Sequence, residues 1–110
     1  MEIITNREGG ILILKLKGRL DTNASMDFEQ QVEASINASS KNMIIDFSDL
    51  EYICSSGLRV ILQAAKKLKS LQRELVLCSM EDYIQEVFEI SGFDSFLKIF
   101  ASKNEAVKSF

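Results

Sequence analysis

Met43-Ile44-Ile45-Asp46-Phe47, then Ser48-Asp49-Leu50-Glu51-Tyr52-Ile53, then Cys54-Ser55-Ser56-Gly57-Leu58 and the run from Arg59 to Leu71 form the stretch on which the fold turns. Apolar residues at spacing one and two give way, along this stretch, to apolar residues at spacing three and four. The first pattern is that of a buried strand and the second that of an amphipathic helix, with the polar step between them read as a short loop. The helix is expected to bury Leu58, Ile61, Leu62, Ala65 and Leu68 and to turn Arg59, Gln63, Lys66, Lys67 and Ser70 to water. Its first turn carries two adjacent hydroxyls and a glycine. A serine in that position can carry a phosphate next to backbone N–H groups that have no partner inside the helix.

The same reading extends in both directions. Ile3-Ile4-Thr5 and Ile11 to Leu16 flank Glu8-Gly9-Gly10, the pattern of a β-hairpin with a short glycine turn. Gly18-Arg19-Leu20-Asp21-Thr22-Asn23 is expected to leave that strand and supply capping side chains. Phe28, Val32 and Ile36 follow at spacing four and predict a helix over 24–38. Beyond the central unit, Leu75-Val76-Leu77-Cys78 reads as a short buried strand. Ser79 is expected to cap a third helix that buries Ile84, Val87 and Phe88 and stops at Gly92. Phe96 to Phe100 predicts a last strand, and Ser102 with Glu105 a capping box for a short final helix through Phe110. The order β-β-α-β-α-β-α-β-α predicts an α/β fold: a mostly parallel sheet of about five strands, with the first strand as an antiparallel edge and about four helices.

Composition narrows the functional classes. The 110 residues are the length of one domain, and 46% of them are hydrophobic, enough to build a core. Thirteen basic residues against sixteen acidic ones give a formal charge of −3, so no broad cationic surface argues for direct nucleic-acid binding. Lys66, Lys67, Lys69 and Arg73 cluster only modestly and read as a solvated helix face. No apolar run approaches the ~18 residues of a membrane span, and residues 1–20 lack a secretory leader pattern. A cytoplasmic location is expected, with Cys54 and Cys78 as reduced thiols.

Catalysis finds no obvious seat. The chain has no histidine, which removes Ser-His-Asp and Cys-His arrangements and makes a zinc site unexpected. Its five glycines build neither a P-loop nor a dinucleotide fingerprint, so no cofactor is expected. Asp46, Asp49 and Glu51 could be imagined as an acid/base or magnesium cluster. The plainer reading puts Asp49 and Glu51 in a loop and has Asp46 accept backbone N–H groups. Two positions stand out: Ser55/Ser56, as an ordinary helix cap or a regulated hydroxyl, and Asp21, as a cap or a contact residue. Both follow strands and precede helices. In a parallel sheet such turns emerge on one edge, where open α/β sheets place their binding surface.

Gly18-Arg19-Leu20-Asp21 resembles the Gly-x-Leu-Asp signature of the STAS domain of bacterial anti-sigma factor antagonists. Ile44-Ile45-Asp46-Phe47-Ser48 and Tyr52-Ile53-Cys54-Ser55-Ser56-Gly57-Leu58-Arg59-Val60 resemble its second signature, and the likeness covers nearly the whole of residues 1–110. It implies a partner-switching regulator of transcription, not an enzyme. Unphosphorylated, such a protein binds an anti-sigma factor that is itself a GHKL-type serine kinase, freeing a sigma factor. Phosphorylation by that kinase breaks the complex, and a serine phosphatase of the PP2C type restores it. The resemblance places the phosphate on Ser55, with Ser56 as the alternative. The expected partner-binding surface comprises Asp21, Thr22, Asn23, Cys54, Ser55, Ser56, Gly57 and Arg59. One departure stands out: many members carry aspartate where this chain has Cys54, which removes a negative charge beside the serine.

Two rival readings share the fold class. A response-regulator receiver is also an α/β domain of this size, but it needs an acidic cluster around its acceptor aspartate. Here Asp46 has only the isolated Asp21 near it in the pattern. The other rival is a STAS scaffold, in a sensory complex or a transport assembly, that acts on no sigma factor.

Overall fold

Gly9 and Gly10 both have positive φ (57° and 78°), the backbone of a tight two-residue hairpin turn, and they join β1 (Glu2–Glu8) to β2 (Ile11–Leu20). The computed structural model describes residues 1–110. It continues through α1 (Thr22–Ala38), β3 (Asn42–Ile53), α2 (Ser55–Ser70), β4 (Leu75–Cys78), α3 (Asp82–Ile90), a single 3-10 turn (Phe93–Ser95), β5 (Lys98–Phe100) and α4 (Lys103–Lys108). The five strands lie in sequence order across one sheet. β1 is the antiparallel edge, and β2, β3, β4 and β5 run parallel.

Alternation along the strands sorts the core into two faces. Leu12, Leu14 and Leu16 of β2 and Met43, Ile45 and Phe47 of β3 join the larger cluster. There they meet Phe28, Val32 and Ile36 of α1, Leu58, Ile61 and Leu68 of α2, and Ile84 and Phe88 of α3. Phe47 and Phe88 meet edge to face, with centroids 5.8 Å apart. Ile11, Ile13, Ile44, Val76 and Cys78 point the other way and are covered by Ala106 of α4.

The largest departure from the sequence pattern lies in β2 and β3. The polar step from Ser48 to Ile53 is strand, not loop, and Gly18-Arg19-Leu20 stays within β2. The two strands keep pairing beyond Lys15↔Asp46 through two register shifts, to Lys17↔Asp49, Gly18↔Leu50, Arg19↔Tyr52 and Leu20↔Ile53. Gly18, at φ 105°, supplies left-handed backbone beside the second shift. The shifts offset the two-residue alternation, so Leu50 and Ile53 are buried three apart, a spacing that does not read as a strand.

Smaller corrections have similar causes. Helix α1 begins at Thr22, so Thr22 and Asn23 lie in its first turn and only Asp21 caps it. Val60 and Ala64 are buried in α2 while Leu62 and Ala65 are half-buried, because the stripe is rotated toward α1. Ser79 does not cap α3. It takes φ 63° and donates its N–H to Phe100 O (3.0 Å), leaving Glu81 at the cap position. Phe96 and Leu97 lie outside β5: the Phe96 N–H closes the 3-10 turn on Phe93 O (3.1 Å), and the Leu97 N–H bonds the same carbonyl (3.1 Å). Ser102 Oγ accepts the Glu105 N–H (3.2 Å), but the Glu105 carboxylate reaches back to the N–H of Ala101 and not to that of Ser102. The basic group at the end of α2 is only partly solvated. Lys67 bridges to Glu33 (2.9 Å), and the Arg73 guanidinium donates to the carbonyls of Lys41 (2.7 Å) and Ile36 (2.9 Å).

Gly57 fixes how closely the head of α2 approaches the sheet. A Cβ there would lie 2.7 Å from Leu20 Cγ and 2.8 Å from its Cδ2, with Ile53 Cγ1 at 3.3 Å. Leu20 is fully buried and has no room to give way. Gly57→Ala is therefore expected to destabilise the domain by about 1–3 kcal/mol, even though alanine favours a helix by up to ~1 kcal/mol. Thermal unfolding should show a loss of roughly 4–8 °C per kcal/mol. A melting temperature at or above that of the parent chain would contradict this close approach.

Candidate functional site

The final pairing of the long strands, Leu20 with Ile53, sets two turns side by side. The N–H of Cys54 donates to Leu20 O (2.9 Å), so the residue entering α2 is bonded to the residue before Asp21. Each turn then starts a helix. Asp21 has extended backbone (φ −91°, ψ −176°) and its Oδ1 accepts the N–H of Ala24 (2.9 Å), the expected N-cap geometry. Cys54 holds the equivalent place before α2 (φ −101°, ψ 173°) but closes no side-chain capping bond. Neither Ser55 nor Ser56 is the cap, contrary to the sequence pattern, because the helix already includes both.

The two hydroxyls have different fates. Ser55 is exposed, and its hydroxyl makes no hydrogen bond to another residue of the chain. Ser56 is half-buried and its Oγ donates to Ser25 Oγ (2.9 Å), across to α1. Ser25 is one of only two polar residues in the core, and its own hydroxyl donates to Asp21 O (2.8 Å). The Cys54 sulfur lies 3.0 Å from Ser56 Oγ and 3.5 Å from Ser25 Oγ. Since Ser25 donates to Asp21 and Ser56 to Ser25, a neutral Cys54 thiol is left to donate to Ser56. Once ionised, the sulfur becomes an acceptor and can draw the Ser56 proton instead.

This surrounding acts strongly on the thiol. Partial burial alone would raise its pKa. The hydroxyls of Ser56 and Ser25 and the backbone N–H groups of Gly57 and Ser56 outweigh burial and lower it from 9.0 to about 7. The negative charge that the Asp-to-Cys departure removes is therefore half restored near neutral pH. Cys78 behaves oppositely. It is buried against α4, and desolvation, with a further contribution from Asp46, pushes it up to about 11. Both cysteines are free.

The other residues of the expected site fall around these turns. Thr22 and Asn23 are exposed on the first turn of α1, and Arg59 is exposed one turn along α2, while Gly57 is buried and serves packing. Two residues outside the expected set belong to the same edge. Arg19 and Tyr52, paired across β2 and β3, form a cation–π stack with the guanidinium carbon 4.4 Å from the ring centre. Beside them an open polar groove is lined by Lys17, Asp49, Glu51, Glu81 and Tyr83, and the Tyr83 hydroxyl donates to Glu51 O. The missing signal for Arg19 and Tyr52 was the strand register. For Ser25 it was a partner 31 residues away. Asp46, Asp49 and Glu51 do not converge: Asp46 is buried and accepts the Ser48 N–H (2.9 Å), and Asp49 is paired with Lys15 (3.2 Å). No group of three or more metal-ligating side chains comes together, and no helix is long and apolar enough to cross a membrane.

Comparison with known proteins agrees with this arrangement. The family model of the STAS domain matches residues 2–106. A Bordetella bronchiseptica protein named as an anti-sigma factor antagonist, BtrV, is 36% identical over 110 residues, spanning 100% of this chain and 95% of its own. The chain belongs to the STAS domain family. Among solved structures, a Thermotoga maritima protein named as an anti-sigma factor antagonist superposes with a TM-score of 0.90 at 22% identity, over 97% of this chain and 92% of its own. The anti-sigma factor antagonist SpoIIAA has been solved in an unphosphorylated form (TM-score 0.73, 19% identity, 98% of this chain and 96% of its own). Its phosphorylated form, described as that of a Bacillus cell fate determinant, matches with a TM-score of 0.74 at 19% identity, over 98% of each chain. These structural likenesses establish the fold, and the names are those of regulators.

The two thiols give a direct check on the electrostatics. Iodoacetamide should alkylate the folded protein at Cys54 alone, with a rate that rises through a midpoint near pH 7, and should reach Cys78 only on unfolding. The linked stability follows by sign. Cys54 ionises more readily folded than unfolded, so its contribution is absent below about pH 7 and builds up toward pH 9. Cys78 ionises less readily when folded, so its contribution is lost as pH rises from 9 through about 11. Denaturation midpoints that rise from pH 7 to 9 in the parent chain, and no longer do so in Cys54→Ala, are expected. An alkylation midpoint near pH 9 for Cys54 would contradict the geometry.

Proposed function

We propose that this protein is an anti-sigma factor antagonist switched by phosphorylation of Ser55. In its unphosphorylated form it binds an anti-sigma factor that is also a GHKL-type serine kinase, which frees a sigma factor for transcription. Phosphate transfer to Ser55 ends that binding, and a PP2C-type phosphatase resets it. The observation that carries this reading is the contrast between adjacent hydroxyls. Ser55 is exposed and unbonded at the head of α2, while Ser56 is tied inward. The kinship with proteins named anti-sigma factor antagonists, one of them known in both phosphorylation states, supports it.

The contact surface is the sheet edge formed by Asp21, Thr22 and Asn23 on one turn and by Cys54, Ser55, Ser56, Gly57 and Arg59 on the other. Gly57 acts through packing and Ser56 from beneath, so the partner meets chiefly Asp21, Ser55 and Arg59. A phosphate on Ser55 brings a charge of about −1.5 to −2 to a helix N-terminus. Unpaired first-turn N–H groups and the helix dipole favour it there by roughly 0.3–1 kcal/mol, up to ~2 kcal/mol when partly buried. Against a docked partner the same group has to shed its water. An uncompensated buried charge costs about 3–5 kcal/mol, or roughly two to nearly four orders of magnitude in affinity. The interface term is the larger, so phosphate releases the partner and leaves the domain folded.

Calorimetric titration against the anti-sigma factor tests this. Ser55→Asp should lower affinity by roughly a hundredfold while keeping its melting temperature, and Ser55→Ala should bind yet resist switching by kinase and ATP. Asp21→Asn keeps the cap and removes the charge. A tenfold or greater loss of affinity, roughly 1.5–3 kcal/mol, is expected if Asp21 meets a cationic group on the partner. Undiminished binding by Ser55→Asp, or phosphate recovered from Ser56 in the parent chain, would overturn the assignment.

A further inference from the structure

Two serines stand next to each other at the head of α2, and only one is presented to solvent. Their side chains are chemically the same. The difference comes from α1, where Ser25 is 5% exposed and sits between the two turns. Its hydroxyl donates to Asp21 O (2.8 Å), accepts from Ser56 Oγ (2.9 Å), and lies 3.5 Å from the Cys54 sulfur. Its N–H also bonds Asp21 O (3.0 Å), so the residue is held from both its backbone and its side chain.

We propose that Ser25 is a positioning residue that determines which of the two serines can take phosphate, by holding the Ser56 hydroxyl inward and clamping the Asp21 turn to the head of α2. The inference rests on the phospho-switch reading above. Several contacts make it specific. Ser56 has one proton, and in the neutral network Ser25 accepts it, so the hydroxyl is engaged on the side away from the partner. Phosphorylation of Ser56 would require breaking that bond and turning the side chain out past Cys54, whose sulfur holds Ser56 Oγ at 3.0 Å. Ser55 needs no such step. The clamp also ties together two turns that are separate in sequence and would have to be met in one register by one partner.

Removing the Ser25 hydroxyl leaves the Ser56 hydroxyl without its acceptor, and takes from the ionised Cys54 sulfur, 3.5 Å away, a hydroxyl that can turn its proton from Asp21 O to it. Alanine suits the helix interior, so Ser25→Ala should fold, and Ser25→Thr keeps a hydroxyl as the conservative comparison. Asp21 on the facing turn, Arg59 along α2 and Arg19, stacked on Tyr52, are charged groups at this edge. None is altered, so a change in the thiol reports the network.

The test has two arms on the full chain. In the first, iodoacetamide rates are followed against pH. For Ser25→Ala the Cys54 profile should move to higher pH, and the rate at pH 7 should fall roughly fivefold if the thiol titrates about one pH unit higher, while Ser25→Thr stays close to the parent. In the second, phosphopeptides are mapped after incubation with a GHKL-type anti-sigma factor kinase and ATP. Label confined to Ser55 in the parent and in Ser25→Thr, but divided between Ser55 and Ser56 in Ser25→Ala, is the expected result. An unchanged thiol profile in Ser25→Ala overturns the clamp. A shifted profile with label still confined to Ser55 overturns the role in acceptor choice. A parent chain that takes no phosphate overturns the phospho-switch reading and with it acceptor choice, and the thiol profile still decides the clamp.

Discussion

The hydrogen bond from Cys54 N–H to Leu20 O is the contact on which the rest of this molecule's function is built. It exists because β2 and β3 go on pairing after their register has shifted twice, past the point where β4 and β5 have already ended. Parallel strands bring their C-terminal ends to the same edge, and this extension carries two of them beyond it together. Asp21 and Ser55 each lie one residue further on. Two helix starts, 33 positions apart in the chain, become one surface.

That geometry also explains the chemistry available there. Each helix brings unpaired N–H groups and the positive end of its dipole. The first helix satisfies one of them with the Asp21 carboxylate. The second has a sulfur in the capping place that closes no such bond, so its first turn retains a field able to stabilise a negative charge. The hydroxyls of Ser56 and Ser25 and the first-turn N–H groups of Gly57 and Ser56 hold the Cys54 thiol down at about 7 against its partial burial. Under the proposed switch, a phosphate on Ser55 would lie at this same helix start, where unpaired N–H groups favour negative charge. The proposal thus makes the fold a platform whose charge changes while its packing does not.

Much of this was legible in the sequence, for physical reasons that can be named. The cap at Asp21, the buried spacing of Phe28, Val32 and Ile36, and the change of period into α2 are local signals, and local signals survive in the chain. The strand from Ser48 to Ile53 did not read as one, because two register shifts put Leu50 and Ile53 three apart. Ser79 did not read as left-handed backbone, because what holds it there is a bond to Phe100, far along the chain. Within the site, the pair Asp21 and Ser55 stood out through motif and helix position. Ser25 looked like an ordinary helical serine, since its partners Cys54 and Ser56 lie 29 and 31 positions away. The Arg19–Tyr52 stack needed a register that only the fold supplies.

The claim that a charge changes on a fixed platform can be tested most directly by comparing backbone amide chemical shifts of the Ser55-phosphorylated and unphosphorylated protein. Shifts confined to the two turns and the first turns of α1 and α2, with the amides of Ile44 and Val76 in the sheet unmoved, are predicted. Changes spreading through β3 and β4 and their packed helices would contradict it and assign the switch to a rearrangement of the fold.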